Sequence, residues 1–290
     1  MRLCRYDDDR LGLVIGDKVH DVTAAQAEIR AAAPYTMKGD AVIAAMPAWR
    51  ARLEAMAAKA PGKPVSQVRL LAPVARPSKI MAAPTNYAAH IAEAVADPGI
   101  RHIDRPTDIG KGGIFLKANS SMAGPSDGVP IRFLDRRNDH EIELVLIIGK
   151  QGSDIPRERA FEHVMGYCLG LDMTVRGPED RSFRKSIDGY TVLGPWIVTA
   201  DEVPDPASVP LSLRVNGELR QSPNTRDLIY DIPRLIEFAS SFYTLYPGDV
   251  FFTGTDQGVG PVKPGDVISA ECPFIGAMEV RVRAHVGAGV

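Results

Sequence analysis

Apolar and polar positions fall into two regimes along this chain. Over residues 1–22 short apolar runs are broken by turns. Residues 11–15 read as a strand, Gly16-Asp17 as a turn, and 19–22 as a returning strand. Residues 24–33 and 40–59 are rich in alanine, with apolar positions at helical spacing, and predict helices. A Pro/Gly cluster at 60–64 and a proline-rich break at 72–77 close this part, which predicts a small N-terminal domain over 1–75. From Lys79 onward strand-length apolar runs dominate, at 80–83, 141–148, 167–173, 192–199, 211–215, 249–252, 267–272 and 278–284. Helices are predicted at 86–96 and at 156–164, the second with Pro156 in its first turn. The turn signals Pro247-Gly248-Asp249 and Pro264-Gly265-Asp266 recur in this half. The second domain, 76–290, therefore reads as β-rich with few helices: α+β rather than an alternating doubly wound sheet. Residues 97–113 carry Gly and Pro with few apolar positions and predict a mobile surface segment.

Composition narrows the function classes. A chain of 290 residues, 45% hydrophobic and 24% charged, can build one main domain and an appendage. A formal charge of -2 leaves no electrostatic footprint for nucleic acid or an anionic membrane. The longest aliphatic run, 144–148, is far short of the roughly 20 residues that span a bilayer. Charges within MRLCRYDDDR stand where an export signal needs an apolar core. Cys4, Cys168 and Cys272 are odd in number and lack Cys-x-x-Cys spacing, which predicts a reducing cytoplasm, no disulfide framework and no structural zinc.

The candidate chemistry starts at Asp139-His140-Glu141-Ile142-Glu143-Leu144. In a strand Glu141 and Glu143 share one face, while Ile142, Leu144, Leu146 and Ile148 share the other. Val145 and Ile147 continue the glutamate face as apolar residues, which puts both carboxylates at the edge of a buried surface. Two like charges so placed repel unless a cation lies between them. Hard oxygen ligands favour Mg²⁺, Mn²⁺ or Ca²⁺ over zinc. Two glutamates on a solvated strand face remain the plain alternative. Asp172 weighs against it, because it ends the apolar run 167–171, where an unpaired charge is unwelcome. Elsewhere, His90 and Glu93 lie three apart on a helix and form a possible general-base pair. As a chance surface pair they would carry no function. Lys117 and Lys185 are weak signals alone, since most lysines are solvated. Thr253-Gly254-Thr255 could offer hydroxyl and N–H donors, or simply end a strand. Gly258 and Gly260 are followed by no Gly-Lys-Ser/Thr, so a phosphate loop is rejected.

The order of these features carries more than any one of them. His90-x-x-Glu93, Phe115-Leu116-Lys117, His140-Glu141-Ile142-Glu143-Leu144, Asp172-Met173-Thr174-Val175-Arg176 and Lys185-Ser186 follow one another. Leu193-Gly194-Pro195-Trp196, Val215-Asn216-Gly217-Glu218-Leu219-Arg220-Gln221 and Thr253-Gly254-Thr255 come after. Over about residues 79–285 the series resembles the fumarylacetoacetate hydrolase family, including its acylpyruvate hydrolases and oxaloacetate-directed members. The resemblance implies an α+β fold with a mixed β-roll, a small N-terminal α/β appendage, and a homodimer. It implies Mg²⁺ or Mn²⁺ on Glu141, Glu143 and Asp172, with Ca²⁺ able to take their place in crystals. His90 and Glu93 would be a catalytic pair on a lid, and Lys185 would stabilise enolate charge. Tyr87, Lys117, Arg176, Glu179 and Thr255 would contact a small 2-oxo acid substrate. Asp256 follows Thr-Gly-Thr where the family often has proline, and Glu179 stands where many members have glutamine. The stretch from Asp172 to Lys185 is also short, so no particular substrate carries over. The expected reaction is hydrolytic carbon–carbon cleavage of a 1,3-diketo acid, by His90-activated water and through a pyruvate-type enolate. A tautomerase, isomerase or decarboxylase of a 2-oxo dicarboxylate is the alternative on the same site. A non-catalytic binding protein is a third reading, disfavoured because all six polar residues are present.

Overall fold

A computed structural model of the chain describes residues 1–100 and 109–286. At its centre lies the strand Ile142–Ile148, buried at every position. Its alternation separates two hydrophobic cores. Ile142, Leu144, Leu146 and Ile148 enter one core, while Val145 and Ile147 enter the other. Full burial of each such side chain is worth roughly 1.5–3 kcal/mol, so this strand anchors both sides of the sheet. Val164–Asp172 flanks it antiparallel on one side and Val250–Phe252 on the other. The sheet has twelve strands and is mixed, because Val250–Phe252 runs parallel to Ile80–Ala82.

A five-stranded sheet, built on the pairing of Val267–Cys272 with Gly276–Ala284, packs its apolar face into the first core. A three-stranded sheet sets Asn138–His140 between Thr174–Val175 and Gly260–Pro261. The fold is thus the expected α+β roll. Two details differ from the sequence pattern. The predicted strand over 141–148 breaks at Glu141, with Asn138–His140 and Ile142–Ile148 belonging to different sheets. The predicted helix at 156–164 is instead the 3₁₀ helix Arg157–His163. Its buried residues, Ala160 and His163, are three apart, the repeat that a three-residue turn places on one line.

The N-terminal region extends the same large sheet. Arg2–Tyr6 pairs antiparallel with Thr191–Thr199, placing Leu3 opposite Ile197. Helices Thr23–Ala32 and Ala41–Lys59 cover the second core with Ile29, Ile43, Met46 and Leu53. Asp40 caps the longer helix by accepting from Val42 and Ile43, and its second oxygen accepts from Ala75 and Arg76. One carboxylate therefore ties the helix start to the break between the two sequence regimes. Among the described residues no helix is long and apolar enough to cross a membrane.

Candidate active site

Three carboxylates converge at one end of the central strands. Glu143 lies in Ile142–Ile148, Asp172 ends Val164–Asp172, and Glu141 sits at the junction just before Ile142. The register places Glu143 opposite Gly170, and the Asp172 N–H donates to the Glu141 carbonyl at 2.9 Å. Gly170 leaves room for this arrangement: a Cβ there would meet Val145 Cγ2 at 2.4 Å and Phe252 Cε1 at 2.5 Å. Glu141, Glu143 and Asp172 are 4%, 2% and 1% exposed, and one oxygen from each lies within 4.8 Å of the others.

Cations of the chain partly neutralise this cluster. Lys185 Nζ donates to Glu141 Oε2 at 2.6 Å, Asp172 Oδ2 at 2.7 Å and Thr174 Oγ1 at 2.6 Å. Lys117 Nζ donates to Asp172 Oδ1 and to the Tyr190 carbonyl. Arg176 bridges Asp139 Oδ2 at 2.8 Å and Glu141 Oε1 at 2.9 Å. Burial alone would raise the Glu141 carboxyl, but Lys185, Arg176 and His90 outweigh it and hold that group well below the usual carboxylate range. Glu143 goes the other way. Burial and the neighbouring charge of Asp172 push its carboxyl well above the ordinary value. Its Oε2 accepts from the Gly254 N–H. Gly254 has φ +105, a backbone conformation that suits glycine, and a Cβ there would meet Asn86 Cβ at 2.7 Å.

Across the cleft, His90 Nδ1 lies 2.9 Å from Glu93 Oε2, and Glu93 Oε1 accepts from the Gly258 N–H at 2.8 Å. His90, Glu141, Glu143, Asp172, Lys185, Arg176 and Thr255 line one pocket. The Thr255 hydroxyl donates to the Ile142 carbonyl and accepts from Gln221 Nε2, each at 2.8 Å. Tyr87, Lys117 and Glu179 do not line it. Tyr87 is buried, close enough to Glu143 to feel its charge, the Lys117 ammonium is enclosed beneath Asp172, and Glu179 pairs with Arg136 at 2.8 Å. Of the segment 97–113, residues 101–108 lie outside the described residues; Ile100 lines the pocket, and Ile109–Gly112 is a short helix.

Sequence reasoning missed Arg181 and Arg184, which also line the pocket. The signal was present as two arginines three apart just before Lys185, the spacing that aligns side chains on one helical face. Gln221, which ends the run Val215-Asn216-Gly217-Glu218-Leu219-Arg220-Gln221, has a structural part of its own. Its Oε1 accepts from Ile142 N–H and faces His140 Nδ1 while its Nε2 holds Thr255, so one amide braces the strand beside Glu141.

Residues 79–283 match the model of the fumarylacetoacetate hydrolase C-terminal domain. The chain belongs to the fumarylacetoacetate hydrolase family. It is 52% identical over 287 residues to a maleylpyruvate hydrolase of Aquipseudomonas alcaligenes, covering 98% of this chain and 100% of that protein. Its fold superposes with a TM-score of 0.83 on a maleylpyruvate hydrolase from Sphingobium sp. SYK-6, solved in complex with manganese(II) and pyruvate. That match has 40% identity and covers 99% of this chain and 100% of the other. A mitochondrial oxaloacetate tautomerase of Homo sapiens is 37% identical over 237 residues, 77% of this chain and 72% of that protein.

The residues fit the divalent ion that this family membership implies. The donor set is all hard oxygen, it is buried, and the raised Glu143 carboxyl marks a negative charge that the chain's own cations leave undercompensated.

Proposed function

We propose that this protein is a metal-dependent hydrolase of 1,3-diketo acids of the acylpyruvate type, releasing a carboxylic acid and pyruvate. The observation that carries this is one pocket holding both a buried three-carboxylate cluster and a His90–Glu93 pair. The 52% identity to a maleylpyruvate hydrolase supports it and makes maleylpyruvate the first substrate to try. Mn²⁺ and Mg²⁺ both suit the oxygen ligands Glu141, Glu143 and Asp172. A homodimer in the cytoplasm is the assembly and place proposed, the first from family membership and the second from three free, buried cysteines.

A divalent cation held by the three carboxylates supplies Lewis acidity and fixed positive charge at the 2-oxo acid end of the substrate. Glu93 accepts a hydrogen bond from His90 Nδ1–H, which leaves Nε2 as the base. Nε2 takes a proton from water as the water oxygen attacks the acyl carbonyl carbon. The bond from that carbon to the methylene carbon then breaks, and its electron pair stays with the pyruvate fragment as an enolate. The proton held by His90 goes to the methylene carbon and gives pyruvate; the acyl fragment leaves as an acid and ionises. Lys185 acts on the enolate through its charge, because all three of its N–H donors are already taken. Arg176 and Thr255, both lining the pocket, are the proposed contacts for the substrate carboxylate, Thr255 through its backbone N–H because its hydroxyl proton is held by the Ile142 carbonyl.

Turnover in ¹⁸O-water tests the reaction class. Hydrolysis places one heavy oxygen in the carboxylate of the released acid. Ketonisation without a new carboxylate would instead support tautomerase chemistry, the activity named for the human relative.

A further inference from the structure

We propose that Arg181 binds a second, distal carboxylate of the substrate and makes this site selective for diacids over acylpyruvates with an uncharged acyl group. The proposal rests on the hydrolase reading for its reaction but not for its binding test. Its basis is the pairing of charges around the pocket. Glu141 Oε1 and Oε2 accept from Arg176 and Lys185, and Asp172 Oδ1 and Oδ2 from Lys117 and Lys185. Asp139 is shared by Arg137 and Arg176. Arg184 spends Nε and Nη1 on the carbonyls of Glu179 and Val175. Asp180, next in sequence to Arg181, turns Oδ1 to the Ser182 N–H instead.

Arg181 is left over. Among the described residues its guanidinium makes no hydrogen bond and no ion pair, although it lines the pocket. Burial pushes its pKa down even though Glu141, Asp172 and Asp180 act on it through space, because none of them meets the guanidinium directly. Its Cζ lies 5.6 Å from the centroid of the Phe115 ring, and Lys185 Nζ lies 5.7 Å from the same centroid. The two cations thus lie beside one aromatic ring at the pocket. A planar guanidinium with free N–H groups matches a carboxylate in two-point geometry, and a partly dry site strengthens that pairing. Phe115 supplies an apolar flank for the carbon chain between the two acid groups. A divalent ion on the carboxylate cluster would offset the charge of Glu143 and leave Arg181 for a second acid group, which favours a dianion over a monoanion.

The test is binding of two unreactive 2-oxo acids to the Mn²⁺-loaded protein by calorimetry. 2-Oxoadipate and 2-oxohexanoate have equal chain length and differ in the terminal carboxylate. The wild-type protein should prefer the diacid by roughly 10- to 150-fold, the range of a hydrogen bond between charged groups. Arg181→Gln should collapse that preference to within about threefold, a residue well inside the experiment's resolution of the charged-pair range. Arg181→Lys should leave an intermediate ratio, since it keeps the charge and loses the fork. A wild-type preference near unity, a preference retained in Arg181→Gln, or an equal loss for both ligands would each overturn the assignment. Because neither probe is cleaved, an Arg181-dependent preference alongside failed acylpyruvate turnover would overturn the hydrolase reading alone.

Discussion

Glu143 is the least compensated of the three carboxylates: its oxygen meets a backbone N–H, whereas Glu141 and Asp172 each meet two side-chain cations. Glu143→Gln keeps the shape and removes a charge that is costly without a bound ion. The metal-free variant should therefore melt at or above the wild-type temperature, while its response to Mn²⁺ disappears. Wild-type protein at a hundredfold excess over Kd should gain about 2.7 kcal/mol, or roughly 5 °C. Melting curves with and without Mn²⁺ check this, and a variant that still responds to the ion would remove Glu143 from the ligand set. His90→Gln should behave oppositely, keeping the Mn²⁺ response while hydrolysis falls roughly 10²- to 10⁴-fold, the range for a lost general base. At this scale the sequence was informative where alternation or helical spacing governs, as for Glu141 with Glu143 and His90 with Glu93. It named Lys117 only as a weak signal and a substrate contact, and was silent on Arg181, because whether a lone cation is buried beneath a carboxylate or left facing a cleft is decided by strands and helices distant in sequence.

Among the elements, the strand Ile142–Ile148 was legible in full, since its two faces feed two cores and both are apolar. The break at Glu141 was not, because the change of sheet there depends on Thr174–Val175 and Gly260–Pro261 as pairing partners. The 3₁₀ helix Arg157–His163 misled for a local reason: proline at a first turn suits either helix type. The turn after Val250–Phe252 has a sharper consequence. Gly254→Ala forces a side chain into a left-handed backbone position against Asn86, whose amide donates to the Thr253 and Tyr230 carbonyls. The expected cost is about 1–3 kcal/mol with weakened Mn²⁺ binding, because the N–H on Glu143 is displaced. Denaturant titration and metal calorimetry on the variant measure the two effects, and a neutral result in both would show that this turn does not set the site.

The whole molecule is held by one sheet that runs from the N-terminal strands into the core of the site, a continuity that the pattern of turns and prolines does not reveal. Deleting residues 1–75 uncovers Ile147, Leu193 and Ile197 by removing Leu3, Leu11 and Leu13 from the same core. The remainder should aggregate, as size-exclusion chromatography would show; a monodisperse, folded fragment would contradict that account. The three cysteines are buried, and burial lifts the Cys4 thiol to about 12, so the native protein should resist thiol reagents at pH 8 and react only once unfolded. The central claim concerns the pocket that this sheet supports, and it is tested most directly by assaying metal-stripped protein on an acylpyruvate with and without added Mn²⁺. The account predicts negligible turnover without the ion, and with it loss of the diketo absorbance matched by one equivalent of pyruvate. Equal rates with and without the ion, or absorbance loss without pyruvate, would contradict it.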